Sequence, residues 1–466
     1  MRGVVAAGGR AKVLSAIALL FVAGCSALPK VTPDLSLRPS RHLRPDASAG
    51  LLSVERSRAF LDAQGRSGPE NDPVARFIAL EQRLVGTSLL AGNKVVLLQD
   101  GAATYDAMLA AIEGATNHIH LETYILDDDA TGRRFADALI ERQRAGVQVN
   151  LIYDGVGSFN TPRAFFQRLT DAGAHVLEYN PINPLTARKG WAVNQRDHRK
   201  LLIVDGRTAF LGGLNISGVY SSRSARRILK GQPVPRSLPW RDTHLQVQGP
   251  VVATFQRLFL DTWQRQKGPP LTTGDWFPPL PAAGGEVVRA IGSSPDEPYS
   301  LIYVTLISAI NSAETEVLLT NAYFAPDPQL LAALKNAAAR GVDVKLLLPG
   351  ETDSALVFHA GRSYYRELLR AGVRIYERQA ALLHAKTALI DGVWATVGST
   401  NLDWRSFLHN QELNAVVVSA EFGARMRTTF RRDLAESNAI TLDAWERRPM
   451  ITRLKERLSR LWEYWL

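Results

Sequence analysis

"DHRKLLIVDGRTAFLGGLN", residues 197–215, has the pattern of a hairpin that carries polar residues on one strand face. Leu201-Leu202-Ile203-Val204 is β-prone, Asp205-Gly206 is a tight-turn signal, and Thr208-Ala209-Phe210-Leu211 returns. Strand alternation puts His198 and Lys200 on one face. Asp205 lies an odd number of positions further on, at the turn, and its side chain is expected to point elsewhere. The pattern recurs at residues 383–401, "LHAKTALIDGVWATVGSTN", with His384, Lys386 and Asp391 at the same spacing. Each copy closes on small residues and an asparagine, Gly212-Gly213-Leu214-Asn215 and Gly398-Ser399-Thr400-Asn401. The chain holds nine His, eleven Lys and 25 Asp, so chance supplies one H-x-K-x4-D match roughly 0.01 times. Two matches in like surroundings mark a duplication.

The surrounding sequence duplicates too. "KVVLLQDGAATYDAMLAAIEGA" and "EVVRAIGSSPDEPYSLIYVTLISAINSA" each run strand, turn, helix. "HIHLETYIL" (118–126) and "EVLLTNAYF" (316–324) follow as strands, then helices at 132–145 and 328–340, then the buried strands "GVQVNLIYD" and "GVDVKLLLP". Alternating strands and helices predict α/β layers on a largely parallel sheet. His198 and His384 lie near 190 residues apart, a spacing that means a duplicated domain rather than a solenoid. The expected division is a signal segment at 1–24, a tether with helices at 54–63 and 73–84 within 25–90, a first half at 91–266, a linker at 267–285, a second half at 286–420 and a helical segment at 421–466.

In a chain of 466 residues, 46% of them hydrophobic, there is ample material for more than one core. The net charge of +10 favours anionic partners, either phospholipid surfaces or nucleic acid. That charge is local: residues 182–241 hold twelve Lys and Arg against two Asp, a net +10. Trp191, Ile182, Leu185, Leu238 and Trp240 lie among those cations, a mixture suited to anionic headgroups. At the N-terminus, Arg2, Arg10 and Lys12 precede an apolar run too short to span a bilayer, ending in "VAGC" at Cys25, the only cysteine. This resembles a bacterial lipoprotein signal, with Cys25 the lipidated residue. A single cysteine allows no internal disulfide. No later segment is apolar and long enough to be a transmembrane helix, so the chain is expected to be anchored to a membrane rather than to span it. At the other end, "ITRLKERLSRLWEYWL" spaces Leu454, Leu458, Leu461, Trp462 and Trp465 as one face of a helix, to dock on the body or lie on an interface.

Duplicated His-Lys-Asn sets point to one active site built from two halves. Phosphoryl-type transfer through a covalent intermediate needs a nucleophile, a proton donor for the leaving oxygen, and fixed positive charge on the non-bridging oxygens. His198 and His384 suit the first two roles if their surroundings separate their pKa values. Lys200 and Lys386, with Asn215 and Asn401, form a cationic hydrogen-bonding cradle, and Ser399 joins them in the second turn. Metal ligation by these histidines is disfavoured by the lysine two residues on, and neither metal nor cofactor is expected. His118 and His120 share a strand face without a suitable carboxylate and read as core residues; Asp127-Asp128-Asp129 reads as a solvated loop.

The pair His198-Lys200-Asp205 and His384-Lys386-Asp391 resembles the two HKD motifs of the phospholipase D superfamily, over roughly residues 91–420. "HLETYIL", "RDHRKLLIVDG", "FLGGLNIS" and "WRDTHLQVQGP" are most similar to bacterial cardiolipin synthases. The resemblance implies two tandem phospholipase D-like domains, mixed sheets flanked by helices, related by a pseudo-two-fold and sharing one site. It makes the two HKD sets catalytic, with a phosphohistidine on His198 and His384 as acid and then base. It adds a downstream carboxylate to orient each histidine: Asp242 in "WRDTH" and Glu412 in "HNQELNAVV". The implied reaction joins phosphatidylglycerol to a second phospholipid; the alternative is hydrolysis of a phospholipid or, ranked lower, of nucleic acid. The lipoprotein-type signal departs from the N-terminal transmembrane helices common in better-known cardiolipin synthases. Ser26 after Cys25 resembles the sorting rule for the outer membrane, facing the periplasm.

Overall fold

A computed structural model describes residues 72–84, 87–183, 192, 194–220, 240–271, 275–379 and 381–465. The signal segment, Cys25, the tether with its first helix, Leu185, Trp191 and Leu238 lie outside those residues. The first half contains β1 (Leu90–Gln99), β2 (His118–Thr123), β3 (Gln148–Asp154), β4 (His175–Tyr179), β5 (Lys200–Val204), β6 (Thr208–Gly212) and β7 (Thr243–Gln248). The second contains β8 (Glu286–Ser293), β9 (Glu316–Asn321), β10 (Asp343–Pro349), β11 (Arg374–Arg378), β12 (Lys386–Ile390), β13 (Trp394–Gly398) and β14 (Asn410–Val418). Across the first half the order is β1-β7-β6-β5-β2-β3-β4, and across the second β8-β14-β13-β12-β9-β10-β11. β1 and β8 pair antiparallel, Leu90 opposite Val288, and so join the halves into one sheet.

The sheet is less parallel than the alternation of elements predicts. Among the fourteen numbered strands only β2-β3-β4 and β9-β10-β11 run parallel. The cause is local: each His-Lys strand returns through an Asp-Gly turn, and a hairpin is antiparallel by construction. Asp205 and Gly206 have φ of 52° and 59°, Asp391 and Gly392 have 49° and 69°. Positive φ at both central residues is the type I′ geometry whose twist suits a hairpin. Across the turns Arg207 N donates to Val204 O at 3.0 Å and Val393 N to Ile390 O at 3.2 Å.

One apolar core spans both halves: Ile203, Leu211, Leu245 and Val247 share it with Val288, Val397, Leu413 and Ala415. The helix Val252–Arg265 closes it, burying Phe255, Phe259 and Trp263. Among the described residues of 267–285 there is neither helix nor strand. Trp276, in that stretch, packs on His118 and His120, which are fully buried; burial drives both imidazoles to the neutral form. The helix expected at 73–84 forms at Pro73–Arg83, capped by Asp72. The C-terminal segment is not wholly helical: Ser437–Ile440 adds an antiparallel edge strand to β11. Asp129 is not simply solvated, since it caps the helix Ala130–Arg144 through Thr131 N and Gly132 N, both at 2.9 Å. No helix among the described residues is long and apolar enough to cross a membrane.

Candidate active site

Each catalytic strand is tied to the opposite half before any side chain is considered. Arg196–Asp197 runs parallel to the start of β14, and His198 N donates to Gln411 O at 2.9 Å. Leu382–Leu383 runs parallel to Trp240–Arg241, and His384 N donates to Arg241 O at 2.8 Å. The imidazoles repeat the exchange. His198 Nδ1 lies 3.1 Å from both carboxylate oxygens of Glu412. His384 Nδ1 lies 2.7 Å from Asp242 Oδ2. Thus the acid downstream of each histidine in sequence serves the other histidine.

A carboxylate can only accept, so each Nδ1 carries the hydrogen and each Nε2 keeps its lone pair free for chemistry. Burial pushes Asp242 and Glu412 up, but the histidine and lysine beside each outweigh it and hold both carboxyls below their usual range. Burial lowers both histidines to about 4, against the upward pull of their acids, and the two lysines lower them further. The lysines are themselves forced down by burial, Lys200 to about 7 and Lys386 to about 8, with Glu412 and Asp242 pulling back. Each lysine Nζ donates to the carbonyl of its own histidine. Each also acts on the imidazole of the other half. Two buried ammonium groups, the second lowering the first by repulsion, are costly unless an anion joins them, which suits them to a phosphodiester.

The remaining expected residues divide. Asn401 Oδ1 is buried without a hydrogen-bond partner among the described residues and is available to a ligand. Asn215 instead donates to Tyr220 Oη at 3.1 Å and accepts from Ile125 N at 3.3 Å. Ser399, expected at the phosphate, donates to Glu412 Oε2 and is fully buried, so its hydroxyl holds the acid. Asp205 and Asp391 do not reach the chemistry. Asp205 accepts from the backbone N–H of Thr116, Asn117 and His118. Asp391 does the same for Glu314, Thr315 and Glu316. Both carboxylates are turned to the backbone, as their odd spacing from the histidines implies.

Aromatic walls complete the site. Tyr124 meets His198 edge-on at 5.1 Å, and Lys200 Nζ lies 5.1 Å over the Tyr124 ring. His384 is enclosed by Trp240 at 5.0 Å, Tyr220 at 5.8 Å and Tyr323 at 6.3 Å. Trp240, expected at a membrane, is therefore part of the histidine's wall. Tyr124 and Tyr323 escape a comparison of the repeats because they are one position out of step. Thr123 pairs with Lys200 and Asn321 with Lys386, so Tyr124 comes one residue after its pair and Tyr323 two after. Arg199 also went unread: its buried guanidinium straps the halves together through Glu412 O and Ser293 O, both at 3.1 Å, and Thr262 Oγ1 at 2.8 Å.

Residues 108–224 and 306–434 each match the family described as cardiolipin synthase, PLD-like domain. The cardiolipin synthase of Alkalihalophilus pseudofirmus is 34% identical over 419 residues, covering 88% of this chain and 81% of that protein. Cardiolipin synthase A of Pseudomonas putida is 37% identical over 378 residues, covering 80% and 75% respectively. The crystal structure of a phosphatidylserine synthase from Haemophilus influenzae matches with a TM-score of 0.61 over 84% of this chain and all of that one, at 13% identity, a likeness of fold.

Proposed function

Given that this chain belongs to the phospholipase D-like cardiolipin synthase family, we propose that it is a phosphatidyltransferase that joins phosphatidylglycerol to a second phospholipid through a phosphohistidine. The observation that carries the reading is the crossed pairing of His198 with Glu412 and His384 with Asp242. Each acid fixes a tautomer with a free Nε2, and neither half has a complete histidine-acid pair alone.

In the first step His198 Nε2 attacks phosphorus, the bond from phosphorus to the headgroup glycerol oxygen breaks, and His384 gives that oxygen its proton. Glycerol leaves and a phosphatidyl group stays on His198. In the second step a hydroxyl of another phosphatidylglycerol gives its proton to His384 and attacks phosphorus. The phosphorus–nitrogen bond breaks, cardiolipin forms, and His198 is regenerated. Lys200, Lys386 and Asn401 neutralise the non-bridging oxygens throughout. The assignment of acid to His384 is supported by its shorter contact, 2.7 Å against 3.1 Å, since a closer carboxylate better stabilises an imidazolium. The diester's negative charge adds to that effect by raising the imidazole from its low value. Water in place of the second lipid gives phosphatidic acid, so exclusion of water decides between transfer and hydrolysis.

We place the protein at a bacterial envelope membrane, anchored through lipidated Cys25, with phospholipid rather than nucleic acid as partner. Exposed apolar side chains follow the parallel strands of the first half, Val156 and Phe159 after β3 and Ile182 after β4, and Val219 stands exposed beside Tyr220 of the site. The test is mass spectrometry of lipids after incubation with phosphatidylglycerol vesicles, beside His198→Ala. The expected result is cardiolipin and free glycerol in equal amounts, from the unaltered protein only. Phosphatidic acid alone sinks transfer in favour of hydrolysis.

A further inference from the structure

The helix Met450–Arg460 is docked the wrong way round for a helix that serves only the fold. A helix at a protein surface normally turns its apolar stripe inward. Here Glu456 and Ser459 are the buried residues. Glu456 accepts from Arg448 Nε at 3.1 Å and from Arg448 Nη2 at 2.6 Å. On the opposite side Met450 is 83% exposed, Ile451 61%, Leu454 51%, Leu458 54%, Leu461 76% and Trp462 49%. At about 100° per residue these six fall within an arc of about 120°. Exposed Lys455 and Arg457 flank the arc, with Arg460 beyond. From Arg447 to Trp462 there are six basic residues and one acid, and that acid is Glu456, already paired inward.

We propose that this face is a membrane-docking surface whose occupant is an anionic phospholipid bilayer. A continuous apolar stripe bordered by cations and ending in tryptophan is what lies in the headgroup boundary, side chains in the acyl region and ammonium and guanidinium groups at the phosphates. A second copy of the chain is the poorer occupant. A two-fold contact sets a patch against itself, so the cationic borders of the two copies would be brought together with no acid on the face to separate them.

The helix is also held close to the site. The Tyr464 ring lies tilted against Trp404 at 5.6 Å and edge-on to His409 at 6.2 Å, and Glu463 accepts from Tyr364 Oη. His409 O accepts from Arg196 N, two residues before His198. Docking of the helix therefore holds the start of β14, and the strand before His198 that pairs with it, near the lipid surface, where a substrate headgroup needs to travel least. This inference rests on the phospholipid reading above for its link to catalysis, but not for binding itself.

The test uses the full chain carrying Cys25→Ser, so that no acyl anchor contributes, with and without Leu454→Glu and Leu458→Glu. Two probes are compared: vesicles of phosphatidylglycerol and phosphatidylcholine, and monomeric dihexanoyl-phosphatidylglycerol. The expected outcome is a loss of about tenfold or more in kcat/KM on vesicles, with turnover of the monomeric lipid unchanged, which also shows that the variant folds. Flotation with the same vesicles should fall in parallel, and should fall for the parent when phosphatidylglycerol is left out. Equal activity of parent and variant on vesicles overturns the proposal. So does a parent dimer that the substitutions convert to monomer without changing vesicle binding. If the parent turns over neither lipid, the transferase reading fails instead, and flotation alone still judges the helix.

Discussion

Around His198 stand one tyrosine and a glutamate reached at 3.1 Å through both oxygens; around His384 stand two tyrosines, a tryptophan and an aspartate at 2.7 Å. The strands beneath are the same seven in the same order. The difference continues in the small-residue turns. A Cβ at Gly213 would lie 2.1 Å from Asp242 Oδ1, so the short acid closes directly against a glycine. At the matching place in the second half stands Ser399, whose hydroxyl steadies the longer Glu412. Duplication thus preserved the backbone and the cradle while each half built a different setting for the other's histidine. A symmetric site would present two interchangeable bases; the unequal settings here are what the proposed division into one nucleophile and one acid rests on.

The strongest way to break that comparison is to remove each histidine in turn. His198→Ala and His384→Ala should each lower turnover by on the order of 10⁴-fold or more, but for different reasons. With a diester whose leaving group needs no proton, His384→Ala should still form the phosphatidyl adduct on His198, visible by intact-protein mass. His198→Ala should form none. Adduct on His384 instead would reverse the roles.

The crossing of the acids sharpens the same test. Glu412→Gln should lower turnover by about 10²- to 10⁴-fold, as expected when a triad acid becomes an amide and the tautomer is lost. It should behave like His198→Ala, suppressing adduct formation even with an activated leaving group. Asp242→Asn should behave like His384→Ala, leaving that half-reaction largely intact. Adduct lost in Asp242→Asn and kept in Glu412→Gln would mean that each acid serves the histidine of its own half.

Much of this arrangement is legible in the sequence and some of it is not, for physical reasons. The motif spacing, the two small-residue turns and the matching order of strands identify the duplicated domain, because hairpin and helix signals are local. The site residues His198, Lys200, His384 and Lys386 follow from the same local pattern. Which acid meets which histidine does not, since that depends on the pairing of Arg196–Asp197 with β14 and of Leu382–Leu383 with Trp240–Arg241. Those pairings join residues more than 140 positions apart and leave no periodic trace. The place of Tyr220 and Trp240 beside His384 is hidden for the same reason: the segment between them is long, and only the fold brings both ends to His384. The bond from Ser399 to Glu412 is equally hidden, because a hydroxyl in a motif turn suits a phosphate and a carboxylate alike.

A smaller effect comes from the lysines. Burial lowers Lys200 to about 7 and Lys386 to about 8, and each is charged only below its own value. The cradle is therefore fully cationic only about a unit below pH 7 and loses charge as pH rises, first from the Lys200 side and then from the Lys386 side. kcat/KM should fall by about tenfold per unit once one charge is lost, and more steeply after both are. A bound diester raises both lysines, so kcat should hold to higher pH than kcat/KM. A kcat/KM that stays level from pH 6 to 9 would show that these two ammonium groups do not titrate in the free protein, and would remove this distinction between the halves.

The smallest effect on chemistry, and a clear one on stability, is expected at the two motif aspartates. Asp205 and Asp391 each accept three backbone N–H groups at the foot of a hairpin, remote from the imidazoles. An asparagine keeps one acceptor but turns a donor towards some of those donors, at a cost of about 1–3 kcal/mol. Asp205→Asn and Asp391→Asn should therefore lower Tm while leaving kcat within about twofold of the parent. The halves should again differ. Asp391 also binds Arg76, which pairs with Glu314 and holds the helix Pro73–Arg83 against the second half. Asp205 has no such tie among the described residues, so Asp391→Asn should lose more stability. The backbone N–H groups hold Asp205 below its usual pKa, so its contribution is complete above the unfolded value and fades as pH falls through the folded one. The Tm gap between Asp205→Asn and the parent should accordingly narrow in acid. A loss of kcat as deep as that of the histidine variants, at unchanged Tm, would put these aspartates back among the catalytic groups and make the third letter of the motif chemical rather than architectural.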